Sequence, residues 1–402
     1  MPDLVFSFEV PYVIFLTETR PGIYAPVKER TIPIMQNQPD KGDLLAILEP
    51  HGQEHLLDFW DSLSDDRRRN LAAQIRDIDW PQLSRRIQSH VLQKPELDVP
   101  DDLEPAPYYP LEPRNKGEAD LYERAREQGE QLISGGRVAG FTVAGGQGTR
   151  LGYDGPKGTF PIGPLSDRTL FRIFAERLQR AQERYRVILP WYIMTRPTND
   201  AATREFFEEN DFFGLEPENV MFFTQGTLPA IGLDGNVILE APDSLALSPN
   251  GHGGSLLALA ESGALADMRE RGVWHISYWQ VDNPLVHIFD PLFLGLHHRT
   301  GSEMSSRSLT KTGPYEKLGN FCLSKGNLII IEYSDMPDDL AEARDKGGRL
   351  RFRAGSPAIH VLRRAFVESL NEGDFKLPMH RAEKKVPHVD KTGEPVEPEE
   401  PN

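Results

Sequence analysis

The sequence predicts an α/β fold with a mixed, mostly parallel sheet and flanking helices, on three observations. The run Val138–Val143 is short, apolar and β-branched, as a buried parallel strand is, and it stops abruptly in Ala144, Gly145, Gly146, Gln147 and Gly148. Strand-like and helix-like periodicities then alternate as far as Val281. Ahead of them, Gly42 to Leu92 carries apolar positions three and four residues apart, which predicts a helical N-terminal region.

Composition narrows the function classes. A chain of 402 residues with 39% apolar residues is long enough for two or three domains. Its net charge of −16 argues against a general nucleic-acid binder, because phosphate backbones are held by basic surfaces. The single Cys322 excludes an internal disulfide framework and a multi-cysteine zinc site, and it fits a reducing cytoplasm. No apolar run approaches the roughly 20 residues that span a bilayer. The expectation is a cytoplasmic protein with neither a nucleic-acid nor a membrane partner. Its oligomeric state stays open, since apolar stripes serve cores and interfaces alike.

Taken in order, residues 1–41 form an extension that joins poorly to the helical pattern after it. Asp3 precedes its apolar part and no basic leader is present, so a stray strand or an upstream extension is expected, with Met35 as an alternative start. Residues 42–113 comprise the helical region and a linker. Leu44, Leu45, Ile47 and Leu48 make one stripe; Leu56, Leu57, Phe59, Trp60 and Leu63 a second; Leu71, Ile75 and Ile78 a third. Pro95 to Pro113, with five prolines from Pro100 onward, reads as extended linker.

Residues 114–375 hold the alternating elements. A helix over Glu118 to Ile133 ends at Gly135-Gly136 and feeds the strand and its glycine loop. Ser166 or Asp167 is expected to cap a helix carrying Leu170, Phe171, Phe174, Leu178 and Ala181. Then follow a strand over Val187 to Met194, a helix near Ala201 to Glu209 and a strand around Val220 to Phe223. A helix over Gly254 to Ala266 and a strand over Val273 to Val281 complete the alternation. Ligands of such sheets gather at the carboxyl ends of the strands, where the glycine loop lies.

The loop itself suggests an anion site. Glycines admit positive φ and let backbone N–H groups approach a phosphate, and Arg150 and Lys157 add fixed positive charge on either side. The pattern lacks the G-x-x-x-x-G-K-[ST] of a P-loop and the G-x-G-x-x-G of a dinucleotide fold. A glycine turn packing a strand on a helix is the other reading. Gln225, in T-Q-G-T-L-P-A, has an amide able to pair with a base edge, or makes a polar turn. Gly251 and His252, in S-P-N-G-H-G-G-S, precede a helix whose N-terminus suits an anion or a carbonyl, or His252 closes the loop. Asp282, ending the strand in V-D-N-P-L-V, is placed to hold Mg²⁺, or else caps a turn.

The string A-G-G-Q-G-T-R-L-G, with P-K-G at Pro156 to Gly158, resembles the signature of the eukaryotic-type UDP-sugar pyrophosphorylases, most closely their UDP-N-acetylhexosamine branch. The similarity extends from about Gly52 to Asn402. It implies a Rossmann-like nucleotidyltransferase (GT-A-like) catalytic domain over 114–375 and the beginning of a truncated C-terminal region over 376–402. By this resemblance UTP is bound by Ala144, Gly145, Gly146, Lys157, Gln225, Gly251 and Asp282; Arg150 and Lys157 act in catalysis; Asp282 holds Mg²⁺. His252, Glu332, Tyr333 and Ser356 meet the sugar. The implied reaction is UTP plus a sugar 1-phosphate giving UDP-sugar and pyrophosphate.

Two positions depart from the hexosamine pattern. His252 stands where the branch has Asn and is similar to the G-H-G of UDP-glucose enzymes, and Ser356 stands where A-G-N is usual. Glucose or galactose 1-phosphate is therefore a second expectation, and a non-catalytic nucleotide-sugar binding module a third. The sequence stops before the segment that supplies a further UTP-binding lysine and a pocket-limiting phenylalanine in the family, so truncation is expected rather than replacement by Lys384 or Lys385.

Overall fold

The computed structural model describes residues 12–14, 39–93, 99–251, 253–373 and 383–402, with residues 12–14 and Arg150 as backbone only. Two units divide the chain: one within Met1–Thr19, Asp98–Gly226 and Gly251–Leu377, the other within Arg20–Leu97, Thr227–Asn250 and Pro378–Asn402.

Strands of the first unit are Tyr12–Ile14 (β1), Glu104–Pro105 (β2), Val138–Val143 (β3), Trp191–Thr195 (β4), Val220–Thr224 (β5) and His275–Gln280 (β6). Met304–Arg307 (β7), Leu309–Thr310 (β8), Gly319–Ser324 (β9), Asn327–Ile331 (β10), Ala354–Ser356 (β11) and His360–Arg363 (β12) follow. The main sheet has seven strands in the order β1-β7-β12-β6-β3-β4-β5. Its four strands β6, β3, β4 and β5 run parallel, so their carboxyl ends share one edge; β12, β7 and β1 extend it antiparallel. A smaller sheet has the order β8-β11-β9-β10, with β2 on β9.

Both faces of the main sheet are covered, which explains why β3 and β4 are largely apolar rather than alternating, Thr142 and Thr195 being their buried polar exceptions. On one face Val138, Trp191, Ile193 and Trp279 pack against Lys116–Ser134 (α1), Leu170–Tyr185 (α2) and, further along the chain, Pro291–Arg299. On the other, Ala139, Phe141, Tyr192, Met194 and Tyr278 meet Gly254–Glu261, Ala264–Glu270 and Arg364–Leu370. Asn115 caps α1 by accepting from the Glu118 N–H, and Gly136, at φ 67°, ends it as expected. Helix α1 crosses Pro291–Arg299 backbone to backbone. A Cβ on Gly129 would lie 1.8 Å from the Pro291 carbonyl oxygen, and one on Gly295 would lie 1.6 Å from that of Ala125.

The edge of the main sheet remote from the glycine loop carries a histidine cluster. His275, at the start of β6, lies 3.0 Å from His298 Nδ1 through its Nε2 and meets the His297 ring edge to face, while His297 Nδ1 lies 2.8 Å from Ser305 Oγ. Burial, with His298 and Arg363 as neighbouring charges, pushes His275 down to about 3, and burial lowers His297 well below the ordinary histidine range. Between pH 6.5 and about 3 the unfolded chain therefore takes up a proton that folded His275 refuses, so stability falls as pH falls. The expected loss from His275 alone is about 2 kcal/mol at pH 5 relative to pH 7.5, read from urea midpoints; a His275→Phe chain should show a flatter pH dependence.

In the second unit Lys41–Leu48, Asp65–Asp77 and Trp80–Arg86 are helices, and Leu44, Leu48, Leu71, Ile75, Trp80 and Leu83 form one core with Val237, Leu239 and Leu245. Buried Gln53 ties the segments together: its Nε2 donates to the Gly235 carbonyl, and its Oε1 accepts from the Val237 N–H.

Several elements differ from expectation. The stripe from Leu56 to Leu63 forms short 3₁₀ turns, Glu54–Leu57 and Trp60–Ser62, rather than a continuous helix. Thr169, not Ser166 or Asp167, caps α2, since its Oγ1 accepts from the Arg172 N–H while Asp167 sits at φ 48°. Gly263, at φ 82°, splits the expected helix over Gly254 to Ala266 in two. The proline-rich segment contributes β2 to the small sheet, anchored where Asp102 accepts from Ser324 Oγ and the Lys325 N–H. The N-terminal extension supplies strand β1, while Met35 lies outside the described residues. Among the described residues no helix is long and apolar enough to cross a membrane. Burial pushes the Cys322 thiol up to about 12, which leaves it un-ionised at neutral pH.

Candidate active site

The carboxyl edge of the parallel strands brings together Ala144, Gly145, Gly146, Lys157 and Asp282, and there too Gln225 meets Gly251. Ala144 prolongs β3, its N–H donating to the Met194 carbonyl at 2.7 Å, and the chain then enters Gly145 and Gly146. Beyond them the loop folds back on itself. The Gly148 N–H donates to the Gly155 carbonyl and the Lys157 N–H to that of Gly146, both at 2.9 Å, with Gly152 turning the chain at φ 66°. Lys157 is thereby laid across Gly146, where a Cβ would come 3.5 Å from Lys157 Cε.

Parallel register brings Asp282 to the same place. Gln280 of β6 lies opposite Val143, and the Val281 N–H donates to the Val143 carbonyl at 3.0 Å, so Asp282 emerges beside the glycines. Lys157 Nζ stands 3.0 Å from Asp282 Oδ2. Side-chain exposures of 22% and 48% make this a solvent-screened pair contributing about 0–1 kcal/mol, free to exchange partners when a ligand arrives.

At the end of β5, buried Gln225 donates from its N–H to the Thr195 carbonyl and from Nε2 to the Gly251 carbonyl at 2.8 Å. The two residues assigned to the nucleotide in separate stretches of sequence are thus adjacent. Gly251 takes φ 78° with open space where a Cβ would be. His252 and the side chain of Arg150 lie outside the described residues.

Glu332, Tyr333 and Ser356, the described residues expected to meet the sugar, gather at one end of the small sheet. Ser356 of β11 pairs with Gly319 of β9, and Glu332, the residue after β10, brings its carboxylate oxygens within 3.6 and 3.8 Å of where a Gly319 Cβ would be. Tyr333 is exposed beside it. The small sheet grows out of the main one, because β7 leads through Ser308 into β8 and β11 leads through residues 357–359 into β12. Strand β12 enters the main sheet antiparallel to β6, with His360 opposite Tyr278, so Ser356 precedes it at the edge where Asp282 lies. Between the pairs Ser306↔His360 and Leu309↔Gly355, one strand advances three residues and the other five. The two extra residues form a bulge in which Ala358 adopts φ 54°.

Two residues escaped the sequence reading. Asn199 is buried, accepts from the Arg196 N–H, and donates from Nδ2 to the Ala144 carbonyl at 3.2 Å and, at 3.5 Å, to that of Gly146, fixing the loop from behind. Arg196 follows β4 directly, with Cγ 2.7 Å and Nε 3.1 Å from where a Gly145 Cβ would lie. A basic residue at the carboxyl end of a predicted parallel strand was the available signal. A separate hollow of about 370 Å³ beside β5 contains Arg204 and Arg271, but each is paired, with Asp200 and Asp267.

The sequence matches the UTP-glucose-1-phosphate uridylyltransferase family over residues 102–396, well over half of the chain. The chain belongs to this family. Within this nucleotidyltransferase family it is similar to the human UDP-N-acetylhexosamine pyrophosphorylase-like protein 1, 37% identical over 373 residues, covering 90% of this chain and 73% of that protein. The UDP-N-acetylglucosamine pyrophosphorylase of Saccharomyces cerevisiae is 35% identical over 371 residues, covering 87% of this chain and 76% of the yeast protein. Among solved structures, the Trypanosoma brucei uridine diphosphate N-acetylglucosamine pyrophosphorylase superposes with a TM-score of 0.72 at 27% identity, covering 90% of this chain and 74% of that one. The recognised signature and the central, mostly parallel sheet accord with membership of the UTP-glucose-1-phosphate uridylyltransferase family.

Proposed function

We propose that the chain is a UTP:sugar-1-phosphate uridylyltransferase whose sugar substrate is an N-acetylhexosamine 1-phosphate. The Lys157–Asp282 pair set against Gly145 and Gly146 at the carboxyl edge of the sheet carries this reading. A sugar phosphate oxygen is already anionic, so its attack on the α-phosphorus of UTP needs no general base, and pyrophosphate leaves with its electrons. The backbone N–H groups of Gly145 and Gly146, with Arg150 and Lys157, are suited to the charge that accumulates on the leaving group. Gln225 and Gly251 hold the uracil; His252, Glu332, Tyr333 and Ser356 hold the sugar.

This family typically uses Mg²⁺, and the donor present fits it. Asp282 is a hard, half-exposed carboxylate with room for water and phosphate oxygens around it, which is how Mg²⁺ is usually bound. When bound, Mg²⁺ would neutralise phosphate charge. Lys157, released from Asp282, then turns to the phosphates.

The hexosamine assignment draws on the names of the human, yeast and trypanosomal relatives. Ser356, a hydroxyl in place of an amide at the end of β11, favours glucose or galactose 1-phosphate as the second reading. Pyrophosphate release from UTP and Mg²⁺ with each of the N-acetylglucosamine, N-acetylgalactosamine, glucose and galactose 1-phosphates tests both. The expected result is release at least about tenfold faster with an N-acetylated sugar. Faster release with glucose or galactose 1-phosphate moves the assignment to the second reading. Silence with all four, in a chain that still binds UDP-sugar, makes it a binding module.

A further inference from the structure

The glycine loop is flanked by two cations whose electrostatic circumstances differ. Lys157, over Gly146, already has Asp282 as a counter-ion. Arg196, against Gly145, has none: among the described residues no carboxylate lies within ion-pair range of its guanidinium, and its buried Nε finds no hydrogen-bond partner. Desolvation lowers the guanidinium below its ordinary value, in a chain whose net charge of −16 offers ample carboxylates elsewhere. Most arginines of this unit that approach the main sheet are otherwise engaged, Arg204 with Asp200, Arg271 with Asp267 and Arg307 with Asp290. Burying part of an arginine with an orphaned Nε is costly, and the outer guanidinium nitrogens, which are not among the buried unpaired atoms, are the ones left for a ligand's acceptors.

The arrangement that holds Arg196 is itself ordered. Its backbone N–H is fixed by Asn199 Oδ1 at 2.8 Å, and the same Asn199 donates to the Ala144 and Gly146 carbonyls on either side of Gly145. The arginine and the loop N–H groups are therefore positioned by one buried side chain. A planar guanidinium is matched to two phosphate oxygens at once, whereas an ammonium acts as a point charge.

We propose that Arg196 is a phosphate-binding residue of this site, taking the triphosphate chain of the nucleotide from the Gly145 side while Lys157 takes it from the Gly146 side. This deepens the reading of the site as a UTP site and rests on it. Unlike Lys157, Arg196 has no counter-ion among the described residues to surrender, so its attraction for a polyphosphate is not offset by an ion pair there. The contact is made to phosphate rather than to uridine.

Direct binding tests this without turnover. UTP with Mg²⁺ is titrated by calorimetry, and uridine by ligand-observed NMR, into the full chain and its Arg196→Gln and Arg196→Lys variants at two salt concentrations. Arg196→Gln should weaken UTP about 10- to 100-fold, with a smaller salt dependence, and leave uridine within about twofold. Arg196→Lys should fall between the two. If the glutamine variant fails to fold, the lysine variant decides: UTP affinity lowered with uridine intact supports the assignment, and unchanged UTP affinity overturns it. UTP affinity within about twofold of wild type in Arg196→Gln, or uridine lost in the same proportion as UTP, also overturns it. A wild-type chain that binds UTP through Arg196 and releases no pyrophosphate removes the proposed activity and leaves this inference standing. Pyrophosphate release with UTP affinity indifferent to residue 196 does the reverse, and a wild-type chain that binds no UTP removes both.

Discussion

Lys157→Ala should lower kcat for pyrophosphate release roughly 10²- to 10³-fold while raising the KM for UTP less than about tenfold. The inequality follows from the empty site. Lys157 spends its charge on Asp282 before the nucleotide arrives, so part of its attraction for ground-state UTP is offset by giving up that partner. Its advantage is largest when extra negative charge gathers on the leaving pyrophosphate. The carboxylate left behind is half-exposed and solvated, so the substitution should not unfold the protein. Single-turnover and steady-state kinetics separate the two parameters. Equal losses in kcat and in UTP affinity would mean that Lys157 binds substrate and transition state alike. Lys157→Arg, which keeps the charge in a different shape, should recover part of kcat.

Gly295→Ala should destabilise the protein by about 3 kcal/mol, read as a shift in the urea midpoint. Helix propensity alone gives the opposite sign, since Ala is favoured over Gly by about 1 kcal/mol within a helix. Packing reverses it, because the new methyl would stand 1.6 Å from the Ala125 carbonyl oxygen. That obstacle is backbone in the middle of α1, so relief requires moving an entire helix. Gly129→Ala meets the Pro291 carbonyl oxygen at 1.8 Å and should act in the same direction. The pair should be less than additive, because once either methyl has pushed the helices apart the other finds room. A stabilised Gly295→Ala protein would show that the two helices do not approach so closely in solution.

Legibility in the sequence was confined to features that depend on local pattern. Val138–Val143 announced itself as a buried strand because both of its faces are covered, and the glycine loop because glycines cluster where that strand ends, with Gly145 leaving no room for a Cβ beside Arg196 Cγ. Gln225, Gly251 and Asp282 were reached through resemblance rather than spacing, and the sheet brings Gln225 against Gly251 and Asp282 against the loop. Contacts between distant segments were illegible. Nothing local in M-T-R-P-T-N says that Asn199 will reach back to the carbonyls of Ala144 and Gly146, or that Arg196 will stand without a carboxylate partner among the described residues. The expected continuous helix near Leu56 failed because apolar spacing alone does not distinguish one helix from successive 3₁₀ turns. The antiparallel strands β7 and β12 were missed because they are short and pair across more than fifty residues, a separation that local periodicity does not report.

The bulge between β11 and β12 bears on how this connection can change in length. Strand side chains alternate in direction with a period of two, and the bulge contains an even number of extra residues. Its evenness preserves parity: Val361 and Leu362 keep their opposite faces of the main sheet while Ser356 keeps its own in the small one. Deleting one residue from 357–359 would invert one set or the other, either turning Ser356 over or exchanging the sides on which Val361 and Leu362 pack. Deleting two would only straighten the ribbon. The chain between Ser356 and the main sheet is thus free to lengthen or shorten in pairs, and a single-residue change must be matched by a second one nearby.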